Sequence, residues 1–365
     1  MHVGYGAILQ NASKVTSDHA MYRNELRLAR SVEALGFESV WTTEHHFTGY
    51  MNCPNALQFL SYMAGTSETL GLGSMCVVLP WHNPLRVAEE VLALDHQCDG
   101  RLTLGIARGA GAAEFDGYKV DMNVTRPLFI EYAEMLLEAL ESGVAEYDGV
   151  HLKQPRVELR PAPFKSFKGR RYCGAVSPES MEIMARLGVG MLITPSKPWE
   201  QVAKEMAEYH QCYRKYHGDD PVPTIATGWV FCDESADRAR EIGGKFIKDY
   251  WQTTLNHYGF NKPEMFKGKK GYETYAAGAE VQARMKAEEI AEAFLDFHVY
   301  GTPEQCYEKI MKIRGHIGCK AFTGIFSYAD MPVAEVDRNL RLFAKSVLPE
   351  LQKVPDPKTF GSVAA

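Results

Sequence analysis

The feature that most constrains this chain is its regular alternation of short, apolar, β-leaning runs with longer amphipathic stretches. Such a rhythm predicts parallel strands joined through helical crossovers, with the helices covering the sheet. Strands are expected near 3–9, 38–43, 73–79, 101–106, 171–176, 190–194, 224–231 and 321–326. Helices are expected at 18–35, 55–67, 84–97, 125–141, 178–187, 199–216, 235–255, 286–296, 303–315 and 332–347. The punctuation agrees: Gly36 sits where a helix ends, Pro80 stops the third strand, and Pro84 opens the helix after it. Eight strand–helix units with no linker between them predict an α/β fold, a single (β/α)8 TIM barrel forming one domain over residues 1–365.

Two stretches break the rhythm. Residues 144–164 carry Tyr147-Asp-Gly149 between β-prone residues and then Arg160-Pro-Ala-Pro163, which reads as an inserted hairpin and connector. Residues 256–284 mix glycines, lysines and a proline without periodicity. A segment of that length reads as a mobile lid that shields the site without joining the core.

Composition narrows the class of function. The 45% hydrophobic and 24% charged content are ordinary globular values, and a net charge of −6 offers no basic footprint for nucleic acid. No apolar run approaches the ~20 residues needed to span a bilayer. The N-terminus opens directly on strand-like residues without the organisation of a signal peptide. Eight widely spaced cysteines form no CxxC pair, so neither a disulfide framework nor a zinc cluster is expected, and the cytoplasm is the expected compartment.

In a barrel of this kind, reactive groups sit at the carboxyl ends of the strands. Those ends carry Glu44, His45 and His46 after the second strand, and Trp81, His82 and Asn83 after the third. Arg108 follows the fourth within Gly105-Ile-Ala-Arg-Gly109, where backbone amides can approach a ligand closely. Ser177-Pro-Glu-Ser180 starts a helix after the fifth, an arrangement that presents free amides and two hydroxyls to a phosphate. Thr194 and Ser196 follow the sixth. Adjacent histidines on extended backbone point to opposite faces, so His45 and His46 are not expected to share a metal ion, and no metal site is predicted.

Glu44-His-His-Phe47, Val77-Val-Leu-Pro80 with Asn83-Pro84, Arg86-x-Ala-Glu-Glu90 and Gly105-Ile-Ala-Arg-Gly109 stand in an order and spacing that resembles the bacterial luciferase-like flavin monooxygenases. The resemblance is strongest over residues 36–118, with Gly301-Thr-Pro-Glu304 as a weaker match. It implies a TIM barrel that uses reduced FMN, supplied by a separate NAD(P)H-dependent flavin reductase, and O2 to oxygenate a small hydrophobic molecule through a C4a flavin–oxygen adduct. On this resemblance His45 matches the catalytic histidine, with Glu44 or His46 holding its tautomer. Arg108, Ser177 and Ser180 match phosphate contacts, and Thr194 lies near another. Met75-Cys76 occupies the place of a cis peptide beneath the flavin ring. A homodimer is expected as well.

The chain departs from the luciferases at three places. Ala107 replaces a cysteine, Trp81-His82 shifts the histidine of the third strand's end, and Val176 replaces a glutamate, which puts light emission and long-chain aldehyde use in doubt. Tyr5, Phe47, Tyr50, Trp81 and Trp229 are expected to face the substrate. The alternatives are hydride transfer with the deazaflavin F420 on the same fold, and a non-catalytic partner subunit.

Overall fold

The computed structural model describes residues 1–175 and 177–356, so Val176 lies outside the described residues. Eight strands close a parallel barrel: β1 (His2–Ala7), β2 (Ser39–Thr42), β3 (Gly71–Ser74), β4 (Leu102–Ala107), β5 (Arg171–Gly174), β6 (Gly190–Ile193), β7 (Ile225–Cys232) and β8 (Ala321–Ile325). Each pairs with its successor, and β8 pairs with β1 in the register His2 to Ala321. The parallel strands are covered on both sides, which is why every residue of β7 and β8 is buried.

Local signals set the helix boundaries. Asn83 accepts from the amides of Leu85 and Arg86 ahead of helix Pro84–Gln97, and Thr302 forms a capping box with Gln305 at helix Pro303–Ile317. The expected third strand, 73–79, is interrupted. A cis peptide joins Met75 to Cys76, and the chain resumes pairing at Val77–Val78 beside Ile106 and Ala107. A short helix, Ala112–Tyr118, lies in what reads from sequence as a glycine-rich loop. The insertion is an antiparallel hairpin, Val144–Asp148 with Lys153–Glu158, as its turn residues predict.

The stretch 256–284 differs from its expectation. It contains helices Pro263–Phe266 and Glu273–Gln282, and Phe266, Tyr272 and Ala279 are buried with Val78, Trp81, Phe115 and Met122 in a cluster apart from the main core. Tyr275 stacks between Phe260 and Phe266 at centroid separations of 5.7 and 5.6 Å. Each short helix contributes only one or two rings, too few for a helical period to register in the sequence. Truncating one of these rings should therefore cost core-like stability. Phe266→Ala is expected to destabilise the protein by about 3 kcal/mol in urea unfolding. A change below about 0.5 kcal/mol, the level of an ordinary surface substitution, would contradict this packing.

Beneath the site, Tyr5 donates a 2.6 Å hydrogen bond to Glu25, which helix Asp18–Ser31 presses against the barrel wall. Burial pushes the Glu25 carboxyl up to about 7, against the hydrogen bonds of Tyr5 and Ser327 and the charge of Arg27. The folded value lies above the unfolded one, so the folded state holds the proton more tightly. This contribution is fully present at low pH and is lost as pH rises through 7. Between pH 5 and pH 8 the wild type should lose about 2.5 kcal/mol from this group, and Glu25→Gln should remove that slope. Urea unfolding of both proteins at the two pH values checks it, and parallel slopes would refute it.

Candidate active site

A cavity of about 510 Å3 opens at the carboxyl ends of the strands. Its wall includes Glu44 and His45 after β2, Met75 and Cys76 after β3, Arg108 after β4, Ser180, and Thr194 after β6. Tyr258, Phe260, Tyr275 and Gln282, all from the 256–284 stretch, complete it.

Two carboxylates organise the histidines. Glu114, on helix Ala112–Tyr118, is 1% exposed and accepts from His45 Nδ1 at 2.9 Å and from the His46 amide at 3.0 Å. His257 Nε2 lies 3.3 Å from the same oxygen. Burial disfavours the Glu114 charge, but the field of His45 when protonated, the bond from its Nδ1 and the adjacent His257 ring outweigh it and hold the carboxyl well below the usual range. A carboxylate can only accept, so the proton of neutral His45 sits on Nδ1, and Nε2 accepts from the Tyr258 hydroxyl at 3.2 Å. Burial lowers the basicity of His257, more than Glu114 restores it.

The second carboxylate, Glu44, is 2% exposed. It accepts from His46 Nε2 at 3.0 Å, His82 Nε2 at 2.7 Å and the Val78 amide at 3.1 Å. These bonds overcome its burial and keep the carboxyl below the usual range, while the Glu44 charge raises His82 against the effect of burial. His46 thus links the two carboxylates, its amide on Glu114 and its ring on Glu44. The expectation that Glu44 or His46 orients His45 is corrected here: the partner is Glu114, because side chains of adjacent extended residues diverge and a separate helix must close on His45.

The polar side of the cavity carries two guanidiniums. Arg108 and Arg126 both donate to the Gly271 carbonyl, at 2.8 and 3.0 Å, and Arg108 lies 4.1 Å over the Tyr272 ring. Gly271, at φ +83°, is one of the positions that require glycine; a Cβ there would meet Arg108 at 2.9 Å. Gly109, at φ +85°, likewise turns the chain directly after Arg108 against Val78 and Trp81. Ser180 lines the cavity, whereas Ser177 is buried and its hydroxyl bonds that of Ser180 at 2.7 Å. Thr194 accepts from Thr227 at 3.1 Å.

The apolar side is aromatic. Trp229 lies 4.2 Å from Tyr250 and Trp251 stacks on Phe294 at 4.6 Å, centroid to centroid. Of the rings expected to face a substrate, Tyr50 and Trp229 line the cavity. Tyr5 is instead buried against Phe37 and Phe326, Trp81 packs on Phe115, and Phe47 is 64% exposed. Alternation of side chains along and beyond each strand sends these three away from the cavity.

The luciferase-like monooxygenase family model matches residues 1–318. The chain belongs to that family. The alkanal monooxygenase alpha chain of Aliivibrio fischeri is 26% identical over 322 residues, spanning 87% of this chain and 90% of that one. Among solved structures, monooxygenase RslO1 from Streptomyces bottropensis superposes with a TM-score of 0.80 at 23% identity, covering 96% and 99% of the two chains. The oxygenating constituent of 3,6-diketocamphane monooxygenase from Pseudomonas putida, in complex with FMN, gives 0.71 at 16% identity over 96% and 99%. An F420-dependent secondary alcohol dehydrogenase gives 0.70 at 17% identity over 95% and 98%. Family membership and the closed barrel agree with the reading of the sequence motifs. Among the described residues no helix is long and apolar enough to cross a membrane.

Sequence reasoning missed Glu114, Arg126, His257 and Tyr258. Glu114 lies just past the glycine-rich turn and Arg126 in the first turn of helix Thr125–Ser142, and no local pattern distinguishes them from solvated charges. His257 and Tyr258 close a helix end more than 200 positions from His45, a pairing that only the fold creates.

Proposed function

We propose that this chain is a flavin-dependent monooxygenase that takes reduced FMN from a separate NAD(P)H-dependent reductase and oxygenates a small, largely apolar molecule. The observation that carries the reading is one cavity that holds a partnered histidine, His45, together with an anion-binding set, Arg108, Arg126, Ser180 and Thr194. That donor set suits a phosphate. Arg108 presents five N–H groups, and Gly271 engages one terminal nitrogen. The Met75–Cys76 peptide and Ala107 offer a flat apolar wall for a ring system, and the fit is consistent with FMN.

When bound, reduced FMN would supply the electrons for O2 activation. The chain's own residues do the rest. Arg108, Arg126 and Ser180 anchor the phosphate, with Ser177 bracing Ser180. Thr194 adds a further hydroxyl. His45 holds or moves a proton at Nε2, with Tyr258 as its neighbour and Glu114 fixing the tautomer. Tyr258, Phe260 and Tyr275 exclude water, and Trp229, Tyr250, Trp251 and Phe294 receive an apolar substrate. Glu44 and His46 support the rim through their own pair rather than by orienting His45. The rival reading, hydride transfer with F420, draws on the likeness to the F420-dependent dehydrogenase. Anaerobic titration with reduced FMN and with F420 separates the two.

Arg108→Ala is expected to weaken reduced FMN binding about tenfold or more, since a charge-assisted bond to phosphate contributes roughly 1.5–3 kcal/mol. Equal affinity at low and moderate salt would remove Arg108 from the site. His45→Ala should still bind flavin but lower product formation by roughly 10²–10⁴. His46→Ala is the comparison, because its ring is committed to Glu44. Stopped-flow spectra and product yields for both variants check this, and normal yields from His45→Ala would transfer the role elsewhere.

A further inference from the structure

The fold brings together three potential metal ligands from three separate elements: His45 beyond β2, Glu114 on helix Ala112–Tyr118 and His257 near the end of helix Gly244–Tyr258. Their ligand atoms all lie within 4.8 Å of one another. His45 Nδ1 is 2.9 Å and His257 Nε2 3.3 Å from Glu114 Oε1. Around a tetrahedral Zn2+ with bonds of 2.0–2.2 Å, neighbouring ligand atoms stand about 3.3–3.5 Å apart, so the cluster needs little adjustment to hold such an ion. The two imidazoles meet edge to face at 85°, with 4.9 Å between centroids.

Three further observations separate this cluster from an ordinary buried ion pair. His257 is 3% exposed, and its Nε2 has no hydrogen-bond partner despite lying beside the carboxylate. A buried imidazole nitrogen without a partner is costly, and a metal ion would satisfy it. The far nitrogen of each ring is already supported: His257 Nδ1 meets the Thr48 hydroxyl at 2.8 Å and His45 Nε2 the Tyr258 hydroxyl at 3.2 Å. Such outer partners orient metal-binding imidazoles. Finally, His45 and Glu114 line the cavity, which offers an entry path and room for a fourth, exchangeable ligand.

We infer that His45, Glu114 and His257 form a site for a divalent transition-metal ion of the zinc type, and that metal binding there takes His45 out of proton transfer. Two neutral imidazoles and one carboxylate suit Zn2+ or Co2+ better than Mg2+ or Ca2+, which favour oxygen ligands. Binding at Nδ1 sends the His45 proton to Nε2, where it is donated to Tyr258 in place of the bond now received. The binding itself rests on no flavin chemistry; only its inhibitory consequence depends on the proposed role of His45.

The test is calorimetric titration of the flavin-free protein with Zn2+, paired with the visible absorption of a Co2+ adduct. One equivalent of Zn2+ and a tetrahedral Co2+ spectrum are expected. His257→Ala should weaken Zn2+ binding about tenfold or more, while His82→Ala, which alters the neighbouring Glu44 cluster, should leave it unchanged. X-ray absorption on the wild-type zinc adduct adds a readout that needs no variant, with two imidazoles and one carboxylate expected around the ion. Failure to bind stoichiometrically, equal affinity in His257→Ala, loss of binding in His82→Ala, or a different ligand set would each overturn the assignment. Zn2+ should also inhibit turnover and a chelator restore it; stoichiometric binding without inhibition would refute the inhibitory consequence while the site stands.

Discussion

Closure of the parallel barrel is the constraint on which everything else rests. A parallel sheet leaves unpaired amides and carbonyls at its edges, and the pairing of β8 with β1 and of β7 with β6 removes both. Closure also sends all eight carboxyl ends to one rim. Residues separated by tens to hundreds of positions thereby acquire a common address, and the cavity forms where the loops from that rim converge.

Within the rim, two buried carboxylates impose order on four histidines. An isolated carboxylate at this depth would carry a desolvation cost of several kcal/mol, so each must be surrounded by donors. Glu44 collects His46, His82 and the Val78 amide, while Glu114 collects His45 and the His46 amide with His257 alongside. Because His46 belongs to both sets, the turn after β2 is held from two sides. This leaves His45 with a defined tautomer and one nitrogen directed at Tyr258. Local charge neutralisation and the orientation of the His45 ring are here the same set of bonds.

The stretch 256–284 joins the cavity to the stability of the protein. Its rings form a small core with Trp81 and Phe115, and its Gly271 carbonyl occupies donors of Arg108 and Arg126. The two guanidiniums are thereby tied to the packing of Tyr272 and its neighbours in that stretch.

Much of this was legible in the sequence. The alternating rhythm dictates the barrel, since the side-chain periods of strand and helix are local properties. The motifs Glu44-His-His-Phe47 and Gly105-Ile-Ala-Arg-Gly109 mark the rim, and Met75-Cys76 marks the cis peptide. The 256–284 stretch gives no core signal in the sequence because its burial comes from isolated rings on short helices rather than from a periodic face. Glu114, Arg126 and His257 carried no local signal at all. What the sequence by itself determined was the fold and the rim at which the cavity opens, because both follow from short-range pattern. Which carboxylate holds His45, which rings reach the cavity and which carbonyl meets Arg108 were decided by tertiary structure alone, because burial and charge pairing depend on neighbours supplied by distant parts of the chain.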